Sequence, residues 1–315
     1  MADISKKKTV FKIGADLYDY LRKYDREIEL PIKYEDLQRY DNSISLLDRN
    51  DEDTLWETVF YPQSDMEDIN YSLKKIYAIL RANGDLSVMD HLSIDRIDLC
   101  VFGNTQPFRI RVVNNINDNF DYFYVKLADA SRVYGLELEH LLSPNRMSYY
   151  VDKDTLIEEH IIGIPGDMFM KKHLSNKNMN EIRLAKEFVK FNERCFLRLL
   201  GDMHSSNFVI NIIPDFDDVS YRIRAIDFDQ QSFEGRKSIY MPKYFKQNNA
   251  LIEIGMRNMT VATMKQYQKE ERSMIRDRLL SSFTQIKELV KCMSKDSISS
   301  KENIESLRKE LADHY

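Results

Sequence analysis

The sequence predicts an α+β fold that combines a small antiparallel sheet with a larger helical part. Apolar residues recur at three- and four-residue steps in the first ninety residues and again after residue 164, a spacing typical of amphipathic helices. Between about residues 95 and 159, short runs rich in β-branched and aromatic residues alternate with polar turns, as in strands. Glycine (9) and proline (7) are scarce among the 315 residues, which favours regular structure over tight turns.

Residues 1–94 are predicted to form a helical extension. Its apolar residues form two helical stripes, made by Phe11, Leu17 and Leu21 and by Ile69, Leu73, Ile76 and Leu80. The pair Asn83 and Gly84 predicts the end of the second helix at about residues 80–82. The simplest role for this extension is that of a structural brace on the main body.

Residues 95–163 are predicted to form a small antiparallel β lobe with one helix. Strands are expected at 97–102, 108–113, 122–127 and 156–161, and the helix at 130–142. Polar turns, such as Gly103-Asn104 and residues 114–119, separate the strands. The predicted order is therefore strand, strand, strand, helix, strand.

Residues 164–315 are predicted to form a mostly helical lobe. Helices are expected at 168–174, at 180–200 and from 249 to the end, with a polar break at 294–300. Two strand-like runs, 208–213 and 221–228, flank an acidic turn at 214–218, which predicts a hairpin.

Composition excludes several classes of protein. With 43% hydrophobic and 11% aromatic residues, the chain is neither disordered nor collagen-like. The net charge of −5 is spread along the chain, so we expect no nucleic-acid or membrane partner. Three distant cysteines lack the spacing of a zinc site, and no signal peptide or run of about 18 apolar residues is present. A cytoplasmic location is expected.

Two short motifs carry the densest chemical signal. The first is Gly201-Asp202-Met203-His204-Ser205-Ser206-Asn207, and the second is Ile226-Asp227-Phe228-Asp229. Phosphoryl transfer from ATP needs a carboxylate to accept the proton of the attacking hydroxyl, oxygen ligands for Mg²⁺ and a cation on the phosphates. The carboxylate could be Asp202, and the oxygen ligands could be Asn207 and Asp227. The cation could be Lys126, which lies in a predicted strand.

These motifs resemble the catalytic and metal motifs of the aminoglycoside phosphotransferase group within the protein-kinase-like superfamily. The resemblance spans about residues 95–233 in element order and is specific only over the two motifs. It implies a two-lobed kinase-like fold with ATP and Mg²⁺ between the lobes. It also implies that Asp202 is the catalytic base and that Asn207 and Asp227 are metal ligands.

The same resemblance implies further roles. Lys126 would hold the α and β phosphates, with either Glu137 or Glu139 as its ion-pair partner. Residues 156–161 resemble the hinge whose backbone meets adenine, which makes Glu159 and Ile161 expected nucleotide contacts. The expected function is an ATP- and Mg²⁺-dependent phosphotransferase acting on an unidentified hydroxyl-bearing acceptor, and the resemblance favours a small molecule.

The sequence departs from the family pattern at three positions. Leu200 stands where relatives often have His or Tyr, and Asp229 follows Asp227-Phe228 where protein kinases have glycine. The first strand pair offers only Gly103 in place of a glycine-rich phosphate loop. A catalytically weak pseudokinase, acting as a nucleotide-binding or protein-interaction module, therefore remains the alternative, and transfer of another part of ATP, such as AMP, is also open.

Several single residues have an ordinary structural interpretation beside the functional one. Asp202 and Asn207 could simply cap backbone groups in a turn, and Lys126 could be a solvated edge charge. His204 fits a structural hydrogen-bonding role better than a metal site. Asp229 could be a second metal ligand or contact an amine of the substrate.

Overall fold

The structure is a computed structural model that describes residues 9–48, 50–82, 84–103, 105–176, 179–215 and 218–314. The helices are α1 Ala15–Lys23, α2 Tyr34–Leu37, α3 Gln63–Ala82, α4 Ala130–Leu142, α5 Gly166–Lys172, α6 Glu181–Arg198, α7 Asn249–Asn258, α8 Val261–Ser281, α9 Phe283–Lys295 and α10 Lys301–Ala312. The strands are β1 Asn42–Leu47, β2 Asp53–Phe60, β3 Leu92–Leu99, β4 Phe108–Asn114, β5 Phe120–Leu127, β6 Tyr149–Asp152, β7 Thr155–Glu159, β8 Ile164–Pro165, β9 Phe208–Asp215 and β10 Asp218–Ala225.

The chain divides into two compact units. The first contains residues 1–130 and 147–160, and the second contains residues 131–146 and 161–315. This division has no boundary at residue 94, where the sequence predicted the end of an extension. The segment that begins at 131 places nearly all of α4 in the second unit, although α4 follows β5 directly in the chain.

A seven-stranded antiparallel sheet forms the first unit, with strand order β1-β2-β3-β4-β5-β7-β6. Alternate residues of β4, Phe108, Ile110 and Val112, are buried, as expected for a strand with one covered face. They belong to the same core cluster as the α3 stripe, in which Leu73 and Ile76 are fully buried. The predicted stripe of α3 and the strands β4, β5 and β7 are therefore confirmed, whereas the strand predicted at 97–102 begins at Leu92 and ends at Leu99.

The prediction that residues 1–94 are helical throughout is wrong for residues 42–60. This segment forms the hairpin β1–β2, and β2 pairs with β3 through Glu57 and Thr58. Its strands carry mostly exposed or half-buried side chains, so they lack the apolar alternation that reveals a strand in sequence. The short strand β6, which pairs with β7, was also missed.

A three-stranded antiparallel sheet with order β10-β9-β8 lies in the second unit beside its helices. The predicted hairpin is confirmed, since β9 and β10 pair from Phe208 with Ala225 to Asp215 with Asp218. The helix α6 buries Phe188, Phe191, Cys195 and Phe196 of the apolar stripe predicted for residues 180–200, whereas Ile182 of that stripe is exposed.

The helix boundaries agree closely with the sequence predictions at two places. The helix α4 has the predicted bounds, 130–142, and the polar break at 294–300 separates α9 from α10. Parts of three predicted turns, at Asn83, Asn104 and residues 216–217, lie outside the described residues. Within the described part of the chain, no helix is long and apolar enough to cross a membrane.

Candidate functional site

The first motif lies in a loop that follows α6 in the second unit. The helix ends with Leu199 in the left-handed conformation at φ 55°, and Asp202 also has a positive φ of 59°. A left-handed backbone costs free energy for residues other than glycine, although aspartate tolerates it better than most. Such conformations cluster at functional sites, where the surrounding structure holds them in place.

Backbone hydrogen bonds hold Asp202 in this conformation. Its N–H donates to the Ile239 carbonyl at 3.1 Å, and its own carbonyl accepts from the His204 N–H at 2.9 Å. The same carbonyl accepts from Nδ2 of Asn207 at 2.8 Å. The amide of Asn207 is therefore oriented by Asp202, and its Oδ1 is the oxygen that can accept from another group or bind a cation.

The second motif is joined to the first through Asn207. The carbonyl of Asn207 accepts from the Ile226 N–H at 3.0 Å, directly beyond the last hairpin pair, Phe208 with Ala225. Asp227 follows Ile226 in the chain. The structure thus joins Asp202 and Asn207 by a direct hydrogen bond and holds Asp227 one residue beyond the Ile226 that Asn207 binds.

The arginine Arg132, on the first turn of α4, binds both aspartates of the second motif. Its Nη1 lies 2.9 Å from Oδ1 of Asp229 and 3.2 Å from Oδ1 of Asp227, and its Nη2 donates to the Ile226 carbonyl at 3.3 Å. The arginine is buried, and the side chain of Asp229 is largely buried as well. Sequence reasoning missed Arg132. The one available signal was a cation within an otherwise mostly apolar helix.

The first turns of α4 are packed closely on the chain around Asp229. Ser131 is fully buried and donates from Oγ to the Asp229 carbonyl at 2.8 Å. A Cβ on Gly135 would lie 2.9 Å from the Phe228 Cβ and 3.0 Å from the Phe228 carbonyl oxygen. Any larger residue at 135 would push the second motif away from α4.

The pKa of Asp202 is raised above its usual range. Burial is the largest cause, and the negative charges of Asp227 and Glu234 raise the pKa further, while His204 opposes them. A carboxylate whose pKa moves toward neutral pH is better suited to accept a proton from a hydroxyl. His204 itself accepts from the Ser206 N–H through Nδ1 at 3.3 Å, which is a structural role within the loop.

Asn207 and Asp227 fit a magnesium ion by donor chemistry. Both carry oxygen donors of the hard type that Mg²⁺ prefers, and the side chain of Asp227 is 32% exposed. Among the described residues, no group of three or more His, Cys, Asp and Glu side chains is placed to hold a metal ion. An ion held by one carboxylate and one amide would take its other ligands from water or from a substrate.

The remaining predicted residues have defined partners in their own units. Lys126 forms an ion pair with the buried Glu158 and lies 4.8 Å from the Tyr124 ring centroid. Glu139 pairs with the buried Arg198. Burial is the largest single effect on Glu139 and raises its pKa, but the charges of Arg198 and Arg194 and the hydrogen bonds from Ser143 and Arg198 together lower the pKa below its usual range.

Glu137, Glu159 and Ile161 complete the predicted set. Glu137 accepts from Nε2 of Gln285 at 2.9 Å. The carboxylate of Glu159 pairs with Arg81 at 3.0 Å, and the backbone N–H of Glu159 donates to the Ser148 carbonyl. Ile161 is buried at the start of a segment of the second unit. The nucleotide-binding roles of these residues and of Lys126 stay predictions, as does the choice between Glu137 and Glu139.

Comparison with known proteins finds weak structural similarity and no match to a protein family. No family model matches the chain, and no curated protein matches it. The chain is similar to a solved structure described as "Crystal structure of Rad53 kinase domain and SCD2", with 15% identity over 53% of this chain and 76% of that chain and a TM-score of 0.23. This TM-score is too low to establish a shared fold. The chain is an α+β protein, and the kinase-like fold stays a prediction.

Proposed function

We propose that the protein is an ATP- and Mg²⁺-dependent phosphotransferase of the kinase-like type, which moves the γ-phosphate to a hydroxyl group of an acceptor. The observation that carries the proposal is the arrangement of Asp202, Asn207 and Asp227. The Asn207 side chain donates to the Asp202 carbonyl, and its backbone carbonyl accepts from the residue before Asp227. One hydrogen bond thus joins the candidate base to the first candidate metal ligand, and a second holds the residue next to the other candidate ligand.

The order of elements supports the same proposal. The strands β3, β4 and β5, the helix α4 and the strand β7 occur in the order that the resemblance to the aminoglycoside phosphotransferase group implies, with the additional strand β6 between α4 and β7. All of these strands pair antiparallel in one sheet. Lys126 lies near the end of β5, on the strand where the resemblance expects the phosphate-binding lysine.

Each residue of the arrangement has a distinct role in the proposed reaction. Asp202 orients the acceptor hydroxyl and takes its proton, helped by its raised pKa. Asn207 and Asp227 would hold Mg²⁺, and the bound ion would neutralise charge on the phosphates. Lys126 would neutralise further phosphate charge, and Asp229 would serve as a second metal ligand or substrate contact. A small hydroxylated acceptor is favoured by the resemblance.

The test of this proposal separates binding from turnover. Asp202→Ala should lower phosphate transfer by a factor of about 10² or more, because proton transfer by a positioned group contributes on that order. Its affinity for Mg-ATP should stay close to that of wild type, because Asp202 is not assigned to the nucleotide or the metal. Product can be followed by ³¹P NMR with a panel of small hydroxylated acceptors. Equal turnover by wild type and variant would remove Asp202 from the mechanism.

One observation favours a second candidate, a pseudokinase that binds nucleotide without transferring phosphate. The guanidinium of Arg132 already lies on Asp227, so a permanent positive charge neighbours the proposed metal ligand. For this candidate, Mg-ATP would bind while no acceptor gave product. Nucleotide binding with a complete absence of turnover across the acceptor panel would favour it.

A further inference from the structure

The guanidinium of Arg132 is fixed in its position on the two aspartates of the second motif. It is buried, donates to the Ile226 carbonyl as well as to both carboxylates, and lies 5.8 Å from the Phe228 ring centroid. The helix that carries it is anchored beside it, since Ser131 binds the Asp229 carbonyl. The next turn of this helix is held by Tyr134, which donates to the carboxylate of Asp296 at 2.5 Å.

The charges around Asp227 follow from these contacts. The carboxylates of Asp227 and Asp229 carry two negative charges, and the carboxylate of Asp202 is close enough to interact with that of Asp227. Arg132 returns one positive charge that no ordinary pH removes, so the surroundings stay net negative and Arg132 weakens their attraction for a cation. A divalent ion held by Asp227 would share this carboxylate with the fixed cation of Arg132, whose repulsion would offset part of the attraction of the carboxylates. Interactions between such neighbouring charges are strong when the effective dielectric constant is about 20, as near a protein surface.

A polyphosphate changes this balance because it carries its own negative charges. Mg²⁺ is usually held by one or two carboxylates together with phosphate oxygens of the substrate. A metal that arrives with a polyphosphate has its charge already compensated, and the guanidinium is then no longer opposed by a net positive ligand. Arg132 thus penalises the free ion far more than the ion bound to phosphate.

We propose that Arg132 is a selectivity residue that keeps free divalent cations away from Asp227, so that metal enters the site as its complex with a polyphosphate. This inference rests on the proposed function for its second part, the entry of metal with nucleotide. Its first part, the exclusion of the free ion, concerns only residues of the second unit. Arg132 acts here through its charge and its contacts to the two carboxylates, and it needs no contact with the transferred phosphate.

The test uses Mn²⁺ alone as the probe, measured by the loss of the EPR signal of the free ion as protein is added. Wild type should bind Mn²⁺ weakly, and Arg132→Gln should bind it at least about tenfold more tightly, because the repelling charge is gone. The double variant Arg132→Gln with Asp227→Asn should return to the weak binding of wild type. Arg222→Gln is the matched control, since it removes an exposed arginine of β10 in the same unit.

The variants also guard against loss of folding. Arg132→Met, which keeps an apolar stem and removes the charge, is measured in parallel, and one variant with a cooperative thermal transition is sufficient. Equal Mn²⁺ affinity in wild type and the Arg132 variants overturns the inference, whether that shared affinity is tight or undetectable. Tighter binding that survives Asp227→Asn also overturns it, because the ion would then bind elsewhere.

A separate titration with Mn-ATP distinguishes this inference from the proposed function. If neither wild type nor the variants bind Mn-ATP, the proposed function is wrong, and so is the entry of metal together with nucleotide. The effect of Arg132 on free Mn²⁺ is still decided by the first titration. If wild type binds Mn-ATP, its preference for Mn-ATP over free Mn²⁺ should fall at least about tenfold in Arg132→Gln.

Discussion

Gly135 and Phe228 approach so closely that a Cβ added at position 135 would lie 2.9 Å from the Cβ of Phe228. Real side chains do not approach at this distance, so α4 and the second motif can meet only because residue 135 has no side chain. The contact places Arg132, one turn earlier on α4, on the carboxylates of Asp227 and Asp229. The helix and the motif therefore form one packed element of the candidate site.

Gly135→Ala should destabilise the protein by about 1–3 kcal/mol, the usual cost of overpacking a tight site. Helix propensity alone predicts the opposite sign, because alanine favours a helix over glycine by roughly 1 kcal/mol. Gly255→Ala in α7 is the matched control, since a Cβ there would meet nothing within 4 Å, and it should be neutral or stabilising. Urea unfolding of both variants measures the difference, and a Gly135→Ala protein as stable as Gly255→Ala would contradict the described contact.

Asp202→Asn should stabilise the fold at neutral pH. The pKa of Asp202 is raised by burial and by neighbouring Asp227 and Glu234, against the effect of His204, so the folded protein binds this proton more tightly than the unfolded chain. Stability then falls as the pH rises from the unfolded pKa, about 3.9, through the folded pKa. Asparagine cannot ionise, so the gain over wild type should grow as the pH rises toward neutral and vanish below about pH 4.

The measurement for this prediction is the free energy of unfolding between pH 3.5 and 7.5. Asp215→Asn, the same chemical change at an exposed position of β9, is the control. The loop hydrogen bonds at Asp202 described above are made by its backbone, so the substitution leaves them in place. A variant less stable than wild type at neutral pH would mean that the carboxylate is stabilised, and not strained, by its surroundings.

The buried pair Glu139 and Arg198 should matter far more to stability than an exposed pair. Glu139→Gln leaves a buried guanidinium without its counter-charge, which costs about 3–5 kcal/mol. The comparison is Asp215→Asn, which breaks the exposed pair with Arg183 and should cost less than about 1 kcal/mol. Thermal or urea unfolding gives both values, and similar losses for the two variants would refute the assignment of Glu139 to this pair.

The elements that the sequence predicted best are those with a strong apolar period. The α3 stripe, the α6 face and the bounds of α4 follow from burial that repeats every three or four residues. The strands β1 and β2 could not be found in this way, because most of their side chains are exposed or half-buried and no alternation marks them. These strands form at one edge of the seven-stranded sheet, where β1 pairs with β2 and β2 pairs with β3. The sequence carries no local sign of this pairing.

The residues of the candidate site also differ in how far the sequence could reveal them. Asp202, Asn207 and Asp227 could be predicted because they lie in two compact motifs whose spacing is visible in the chain. Arg132 lies 95 residues before Asp227, and tertiary contacts of α4, among them Gly135 on Phe228 and Ser131 on the Asp229 carbonyl, bring it to the aspartates. A contact set by tertiary packing leaves no local pattern in the sequence.

The most direct test of the central claim is calorimetric titration of Mg-ATP into wild type and into Asp227→Asn, with Asp215→Asn as the control for the same chemical change. We expect micromolar-to-submillimolar binding that requires Mg²⁺, a loss of affinity of about tenfold or more in Asp227→Asn, and no loss in the control. Absence of Mg-ATP binding to wild type, with or without candidate acceptors, would contradict the account.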